Sequence, residues 1–361
     1  MKTNERIYVD LHVLQTVPPS CVNRDDTGSP KTAIYGGVTR ARVSSQAWKR
    51  AMRLMFREML CEEDVGQRTK MVVDLIAEKL TELRPDLSEK QVQTLAQKVL
   101  EAAGVKVKAD KDKLKTGALF FISPAQISAL AQIAAEQEDG KFDKAVCQAA
   151  LKMQPGVDMA LFGRMVADDP SLNFDAAAQV AHAISTHAVE NEYDYFTAVD
   201  DCSPEDNAGA GHLGTVEFNS STMYRYATVN VSELVGMLGE KTPEAVRAFA
   251  EAFIRSMPTG KQNTFANRTR PDAVYVTVRR DQPINMAGAF ERPIRAGSEG
   301  YAAGSVAALV RYAKETYADF AAEPERAWTV GKGMEELAQP GSVNALLDAL
   351  ELWLKFNGEQ K

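Results

Sequence analysis

Apolar and polar residues alternate near the start of the chain, as they do in a β-strand with one buried face. Over residues 7–14 every second position is apolar: Ile7, Val9, Leu11 and Val13. Residues 18–37 are rich in Pro, Asp, Gly and Ser and predict a long loop. VTRARV at 38–43 then predicts a short second strand.

The next segment, residues 44–60, has the spacing of an amphipathic helix. Ser44 and Ser45 are natural N-cap residues, because a serine oxygen accepts from the free N–H groups of the first turn. One face is apolar and predicted to meet the core: Trp48, Met52, Met55 and Met59. Another face carries Lys49, Arg53 and Arg57 at steps of four, with Arg50 beside them.

The rest of the chain predicts a sheet interrupted by helices. Helices are expected over 69–83, 88–103, 123–137, 175–189, 243–256, 301–320 and 343–356, and strands over 222–231 and 273–278. Residues 200–220 contain few large apolar side chains and predict an extended excursion without a core of its own. This order favours an α+β fold: a ferredoxin-like (RRM-like) antiparallel sheet with a large helical insertion.

Charge is unevenly distributed along the 361 residues. The net charge is −7, yet residues 24–57 carry eight basic and two acidic side chains, so this segment is +6 and the remainder −13. A local basic surface can bind a phosphate chain despite an acidic body, because salt screens distant charges. For a charge run alone, a solvated helix face is the more frequent explanation.

Composition also indicates a compartment. No apolar run is long enough to span a bilayer, and the N-terminus lacks a signal-peptide pattern. The four cysteines lie far apart and are expected to be reduced thiols. We therefore expect a cytoplasmic protein without a membrane partner.

Catalytic motifs are missing. The sequence has no phosphate-binding P-loop, no G-x-S-x-G and no H-E-x-x-H, and its four histidines are expected to be structural, so no cofactor or metal is expected. Asp25 and Asp26, beside Arg24, offer either a metal-binding or general-base pair or, more commonly, carboxylates that shape a loop. The aromatic RNP signature is also missing, so RNA would be held through phosphates and sugars. A second polar and basic loop over 258–270 contains Lys261.

In order along the chain, these segments resemble the CasC-type backbone subunits of the type I-E CRISPR complex Cascade, which belong to the RAMP superfamily. The matching stretches are PSCVNRDD at 19–26, AIYGG at 33–37, RVSSQ at 42–46, KRAMR at 49–53, QPGVDMALFGRM at 154–165, AHAISTH at 181–187, YFTAVDD at 195–201, GHLGT at 211–215, YRYA at 224–227 and GKQ at 260–262. They span residues 7 to about 290 in the family's order. The stretches 62–150 and 202–210 depart from the family pattern.

The resemblance implies a molecule shaped like a right hand. A palm is expected over 1–61 and 223–361, the latter with the C-terminal helices, helical fingers over 62–190, and a β-hairpin thumb with its flanks over 191–222. It also implies a non-catalytic scaffold of which many copies stack along the CRISPR RNA, the thumb tip kinking the strand at intervals. The implied partners are CRISPR RNA, target DNA through the guide, further copies of the chain, and the other Cascade subunits: large, small, guide-processing endonuclease and foot-end.

The resemblance also assigns RNA-binding residues. Those of the palm are Arg24, Ser44, Gln46, Lys49, Arg53 and Lys261, those of the fingers Arg164 and Met165, and that of the thumb tip Leu213. Hydroxyl, amide and basic groups at a helix start suit phosphate oxygens.

Two other functions fit parts of the sequence. Related backbone subunits of type III complexes cut target RNA with a loop aspartate, and Asp25 or Asp26 would supply it in a metal-dependent endoribonuclease. Alternatively, the helical insertion would be a protein-interaction module whose basic face meets acidic partners.

Overall fold

The computed structural model describes residues 6–110, 113–137, 139–166, 169–198 and 212–357. Its strands are β1 (Tyr8–Ser20), β2 (Thr32–Tyr35), β3 (Val38–Val43), β4 (Gln67–Thr69), β5 (Val107–Asp110), β6 (Lys113–Thr116), β7 (Phe120–Ile122), β8 (Ala178–Val180), β9 (Ala183–Ser185), β10 (Glu192–Ala198), β11 (His212–Asn230), β12 (Ala273–Arg279) and β13 (Arg326–Val330). Its helices are α1 (Ser45–Met59), α2 (Val72–Leu83), α3 (Glu89–Ala102), α4 (Pro124–Glu136), α5 (Lys144–Lys152), α6 (Val157–Phe162), α7 (Val231–Leu238), α8 (Thr242–Arg255), α9 (Gln262–Phe265), α10 (Ala302–Asp319) and α11 (Val343–Asn357). This mixture of helices and antiparallel sheet confirms the predicted α+β class.

The chain divides into two compact units. The first contains residues 1–52, 180–228 and 249–361, and the second contains residues 53–179 and 229–248. The second unit is thus inserted into the first along the chain, and it lacks residues 180–190 of the predicted fingers. It also takes in residues 53–61 and 229–248, which lie outside the insertion expected at 62–190.

The main sheet belongs to the first unit. Its strand order is β13-β12-β1-β11-β9-β3-β2, and the pairs β1–β12, β12–β13, β9–β11, β3–β9 and β2–β3 are antiparallel. Buried side chains from the sheet and α10 form a core cluster that includes Leu14, Tyr224, Tyr275, Leu309 and Val310. The cluster holds the strands of the sheet and α10 together.

Strand β1 is buried on both faces, which corrects the expectation of a half-buried strand. Because β1 lies between β12 and β11, its polar side chains are covered too. His12 Nδ1 lies 2.8 Å from the Tyr224 hydroxyl, and Asp10 accepts from the Tyr226 hydroxyl at 3.0 Å. These hydrogen bonds compensate for the burial of polar groups that had predicted a solvent face.

The long loop expected over 18–37 is shorter in the structure. β1 continues to Ser20, and Thr32–Tyr35 forms β2, paired with β3 through a two-residue turn. Gly36 and Gly37 have φ of 58° and 77°, the left-handed pair that a tight hairpin turn requires. The Gly-Gly pair was the sequence signal for this hairpin.

The helix expected over 175–189 is wrong. Residues 178–180 and 183–185 are strands instead, and β9 pairs with both β3 and β11. Ala178 and Val180 are buried and Gln179 is exposed, an alternation typical of strands. Pairing with two strand neighbours outweighs the helix propensity of an alanine-rich segment.

The second unit is mainly helical and has its own core. Val72, Ile76 and Leu80 of α2 pack with apolar residues of α3, α4 and α5. Ser88 and Ser123 begin α3 and α4 with capping boxes, in which Gln91 and Gln126 accept from the serine backbone N–H groups. These starts agree with the helices predicted at 88–103 and 123–137.

A two-stranded ribbon extends from the sheet of the first unit. β10 pairs with residues 212–218 of β11 in antiparallel register, and every residue of β10 is exposed. The ribbon lies within the predicted thumb, of which residues 199–211 fall outside the described residues. Among the described residues no helix is long and apolar enough to cross a membrane.

Candidate nucleic-acid interface

Ser44 occupies the N-cap position of α1. Its Oγ accepts the Ala47 N–H at 3.3 Å, and its own N–H donates to Asn23 Oδ1 at 2.9 Å. Ser44 is 7% exposed. Because its N–H already donates and its Oγ already accepts, the hydroxyl hydrogen is the donor that it can offer to a ligand. The Asn23 bond ties the loop before β2 to the start of this helix.

Gln46 and Lys49 follow on the first turns of α1. Gln46 is exposed, and its amide can donate to a phosphate oxygen. Lys49 is half-buried, and this burial lowers the pKa of its ammonium group below the usual range. A bound anion would favour the charged form of Lys49, which burial disfavours.

The loop over residues 23–31 carries Arg24 and is closed by Asp25. Asp25 Oδ1 accepts the N–H groups of Thr27 and Ser29 at 2.9 and 3.0 Å and the Thr27 hydroxyl at 2.7 Å. These hydrogen bonds, that of the Thr27 hydroxyl above all, lower the pKa of Asp25. Asp25 therefore shapes the loop, as the more common of the two readings expected, and Arg24 is exposed at its side.

Lys261 lies beside this loop because the two backbones touch. A Cβ at Gly260 would come 2.1 Å from the Val22 carbonyl oxygen, so only glycine permits this approach. Burial raises the pKa of the Cys21 thiol, and the positive charges of Arg24 and Lys261 oppose this shift. A polar groove of about 470 Å³, lined by residues 22–28 and Gly260, lies at this junction.

Arg53 belongs to the second unit and is held by an ion pair. Its Nε donates to Asp158 Oδ2 at 3.0 Å, and Asp158 Oδ1 accepts the Gly66 N–H at 2.8 Å. Asp158 is fully buried, and burial raises its pKa, an effect that Arg53 opposes. The Arg53 side chain remains 16% exposed.

Arg164 is placed differently from the prediction that it contacts RNA. It is 4% exposed, and its Nε and both Nη groups donate to Leu172 O, Leu151 O, Phe121 O and Gln126 Oε1 at 2.8–3.2 Å. All five N–H groups are thus used inside the protein. Arg164 is a structural residue here, because burial in this acceptor-rich site leaves no donor for a phosphate.

Met165, by contrast, is 85% exposed. Its neighbours Arg164 and Val166 are buried, and Val166 N–H donates to Asn173 Oδ1 at 2.6 Å. The two anchored neighbours fix the backbone and turn Met165 outward, where an apolar side chain can contact a ligand.

Leu213 lies on the ribbon, opposite Thr197, and is 56% exposed. Tyr193 and Tyr195 are also largely exposed, and by the alternation of the paired strands they share the face of Leu213. Phe196, on the other face, lies across Gly214, where a Cβ would be 2.3 Å from the ring. The sequence analysis quoted Tyr195 and Phe196 only as part of the stretch 195–201 and gave these aromatic residues no role.

In the first unit, Arg24 lines the polar groove and Lys261 follows Gly260, another residue of its lining. Ser44, Gln46 and Lys49 lie at the start of α1, where the Ser44 N–H donates to Asn23 of the groove. Arg53, Arg164 and Met165 lie in the second unit. Of the basic segment 24–57, Arg40 does not contribute to a surface: it is fully buried and donates to the carbonyls of Tyr35, Ser185, Phe290 and Glu291. Asn23, missed from the sequence, joins the groove to α1.

Histidines and acids form no metal centre within the described residues. His187 stacks on Tyr301 with ring centroids 3.6 Å apart, and its Nε2 accepts the Thr222 N–H at 3.1 Å. Cys21, Cys61 and Cys147 are free thiols, and Cys202 lies outside the described residues.

Comparisons with known proteins agree with this geometry. A family model described as CT1975-like protein matches residues 9–352. A solved subunit of a "CRISPR RNA-guided surveillance complex, pre-nicking" is 36% identical, with a TM-score of 0.83 over 96% of this chain and 99% of that chain. A subunit of a "CRISPR RNA-guided surveillance complex" is 29% identical, with a TM-score of 0.73 over the same shares. No curated protein matches. The resemblance stated from the sequence is confirmed.

Proposed function

Because the chain belongs to the CT1975-like family, we propose that it is a non-catalytic scaffold that polymerises along CRISPR RNA in a type I-E Cascade complex. The observation that carries the proposal is the similarity to a surveillance-complex subunit over nearly the full length of both chains. Copies of this chain hold the guide, which pairs with target DNA in antiviral defence. The other partners are the large, small, guide-processing and foot-end subunits.

The chemistry of the groove supports binding that ignores base sequence. Arg24 and Lys261 supply charge, and Ser44 and Gln46 supply hydrogen-bond donors at the start of a helix. Such groups recognise phosphate oxygens, which are the same at every nucleotide. A guide of any sequence can then be held while base pairing performs the recognition.

The same loop supports binding without cleavage. Asp25 Oδ1 accepts three hydrogen bonds that close the loop over residues 25–29, so the role of this carboxylate is structural. A metal-dependent cut needs a carboxylate held at the scissile phosphate. We therefore expect RNA to remain intact on this chain in the presence of magnesium.

The test is native mass spectrometry of the chain with unrelated single-stranded RNAs of increasing length, in magnesium. The expected result is a mass that rises by whole protein copies as the RNA lengthens, on uncut RNA of every sequence. Asp26→Ala is the matched control and should give the same series. Asp25→Ala should also leave the RNA uncut but bind it more weakly, because it loosens the loop that carries Arg24. If the wild-type chain shortens the RNA and either variant leaves it intact, the chain is an endoribonuclease instead. If the chain binds acidic proteins and no RNA, it is an interaction module.

A further inference from the structure

Two arginines contact the aromatic ring of Phe121 through their guanidinium groups. The guanidinium carbon of Arg53 lies 4.4 Å from the ring centroid and that of Arg68 lies 5.2 Å from it. Arg68, on β4, is the direct cross-strand partner of Phe121 on β7. The ring itself is 3% exposed and rests on Gly66, where a Cβ would come 2.6 Å from it. Buried packing therefore fixes the surface on which both guanidinium groups lie.

One carboxylate interacts electrostatically with both arginines. Asp158 binds Arg53 through Nε and is the acid whose charge also acts on Arg68. The group of Arg53, Arg68 and Asp158 has a formal charge of +1, which matches one phosphodiester. Burial lowers the pKa of Arg68, and the nearby charge of Arg53 lowers it further, so a bound anion would relieve this repulsion.

Unused donors point the same way. Arg53 donates from Nε to Asp158, and from Nη2 to the Gly66 carbonyl at 3.5 Å. Within the described residues no acceptor is assigned to Arg53 Nη1 or to the guanidinium of Arg68, which belongs to an exposed residue. A planar guanidinium that is held along one edge presents its other edge to an anion in a fixed direction.

We propose that Arg68 binds the phosphate backbone of the guide beside Arg53, and that Phe121 and Asp158 position the two guanidinium groups. We call these four residues the arginine seat. The inference rests on the proposed function and extends it to Arg68, Phe121 and Asp158. Arg53 follows Lys49 by one turn of α1. Arg68 is a binding residue, whereas Asp158 acts through Arg53 as a positioning residue.

The first test is Arg68→Ala. Affinity for unrelated RNAs should fall about tenfold, as expected when one charged hydrogen-bonded contact is lost. The slope of log affinity against log salt should become shallower by about 0.7, the value for one phosphate contact on a single strand. Arg68→Lys should keep the slope and lose part of the affinity, because lysine retains the charge without the planar fork. Lys90→Ala, an exposed charge removal on α3, is the matched control and should change neither quantity.

The positioning role is tested by a double-mutant cycle of Asp158→Asn and Arg53→Gln. If Asp158 acts through Arg53, the double variant should bind RNA no more weakly than Arg53→Gln alone. Circular dichroism and thermal unfolding check that each variant is folded, and Arg68→Ala keeps the proposal testable should Asp158→Asn unfold. Additive losses of RNA affinity would overturn the positioning role.

The outcomes separate the seat from the function on which it rests. If the wild-type chain binds RNA and Lys49→Ala weakens it, while Arg68→Ala keeps both affinity and salt slope, the seat is wrong and the scaffold stands. If the wild-type chain binds no RNA, the proposed function itself fails and the seat with it.

Discussion

Arg53 and Arg164 lie in the same unit and were both expected to contact RNA, yet their surroundings differ. Arg164 is enclosed by four acceptors that use all of its N–H groups. Arg53 meets one carboxylate and one carbonyl and keeps part of its side chain at the surface. An arginine can bind a ligand only through N–H groups that are not already bonded within the protein. Membership of a family motif therefore does not distinguish a structural arginine from an RNA-binding one.

Asp158 and Asp25 also have contrasting surroundings. Asp158 is buried against Arg53, and burial raises its pKa. Asp25 lies exposed in a loop, and hydrogen bonds from that loop lower its pKa. Each carboxylate is used to place something else: Asp158 places an arginine, and Asp25 places the loop that carries Arg24.

The largest expected effect is that of Arg164→Ala. The buried carbonyl of Leu172 would lose the two hydrogen bonds that it accepts from Arg164, and that of Leu151 would keep only the one from Gln126. The free energy of unfolding should therefore fall by about 3 kcal/mol or more. Urea denaturation followed by circular dichroism measures this loss. The salt slope of RNA binding by the folded variant should equal that of the wild-type chain.

Arg311→Ala provides the comparison for that loss. Arg311 is exposed on α10 and forms an ion pair with Glu315 at 3.9 Å, so its removal should change stability by less than about 0.5 kcal/mol. An Arg164→Ala variant with wild-type stability and a shallower salt slope would reverse the assignment and make Arg164 the RNA contact.

Sequence patterns predicted the elements whose partners are local. The strand at 38–43 has the bounds expected, and α1, α3, α4 and α8 lie within two residues of theirs, because caps and helical spacing are encoded nearby. The helix expected over 175–189 failed, because its true partners β3 and β11 lie far away in the sequence. The polar residues Asp10 and His12 wrongly predicted a solvent-exposed face of β1, because their hydrogen-bond partners Tyr226 and Tyr224 are also distant in the sequence.

The candidate site divides along the same line. Ser44, Gln46 and Lys49 could be placed from the helix pattern, and Lys261 from a polar loop. The burial of Arg164 and Arg40 could not, since it depends on carbonyl groups from distant segments. Arg68 was missed because a lone exposed arginine carries no signal until Phe121 and Arg53 are beside it.

Lys49→Ala should have an intermediate effect. Lys49 is half-buried, and burial lowers the pKa of its ammonium group. A bound phosphate would stabilise the charged form of this group. Affinity should fall about tenfold for every RNA alike, with a salt slope shallower by about 0.7. Fluorescence anisotropy with several unrelated RNAs over a range of salt concentrations measures both.

Arg50→Ala is the matched control for Lys49→Ala. Arg50 is the next residue of α1 and exposed, but it lies off the face shared by Lys49 and Arg53. It should cost less affinity than Lys49→Ala. Equal losses from both would mean that the whole helix surface attracts RNA through its charge alone, and a loss that depended on base sequence would contradict a backbone contact.

The smallest effect on affinity, and the most local, is expected from Leu213→Asp. Leu213 is an exposed apolar residue on a ribbon that has no buried face, so its replacement should cost little stability. RNA affinity should stay nearly unchanged, because Leu213 offers no charge or donor to a phosphate. What should change is the spacing of copies along the strand, since an apolar tip can hold an unstacked base away from water and a carboxylate cannot.

Nuclease footprints on RNA that carries several copies of the chain measure this spacing. The wild-type chain and Leu213→Met, which keeps an apolar side chain of similar volume, should give one regular period. Leu213→Asp should blur or shift that period at unchanged occupancy. A footprint that keeps its period in Leu213→Asp would mean that the ribbon does not contact the RNA. The polar groove lined by residues 22–28 and Gly260 and the arginine seat would then be the surfaces that hold the strand.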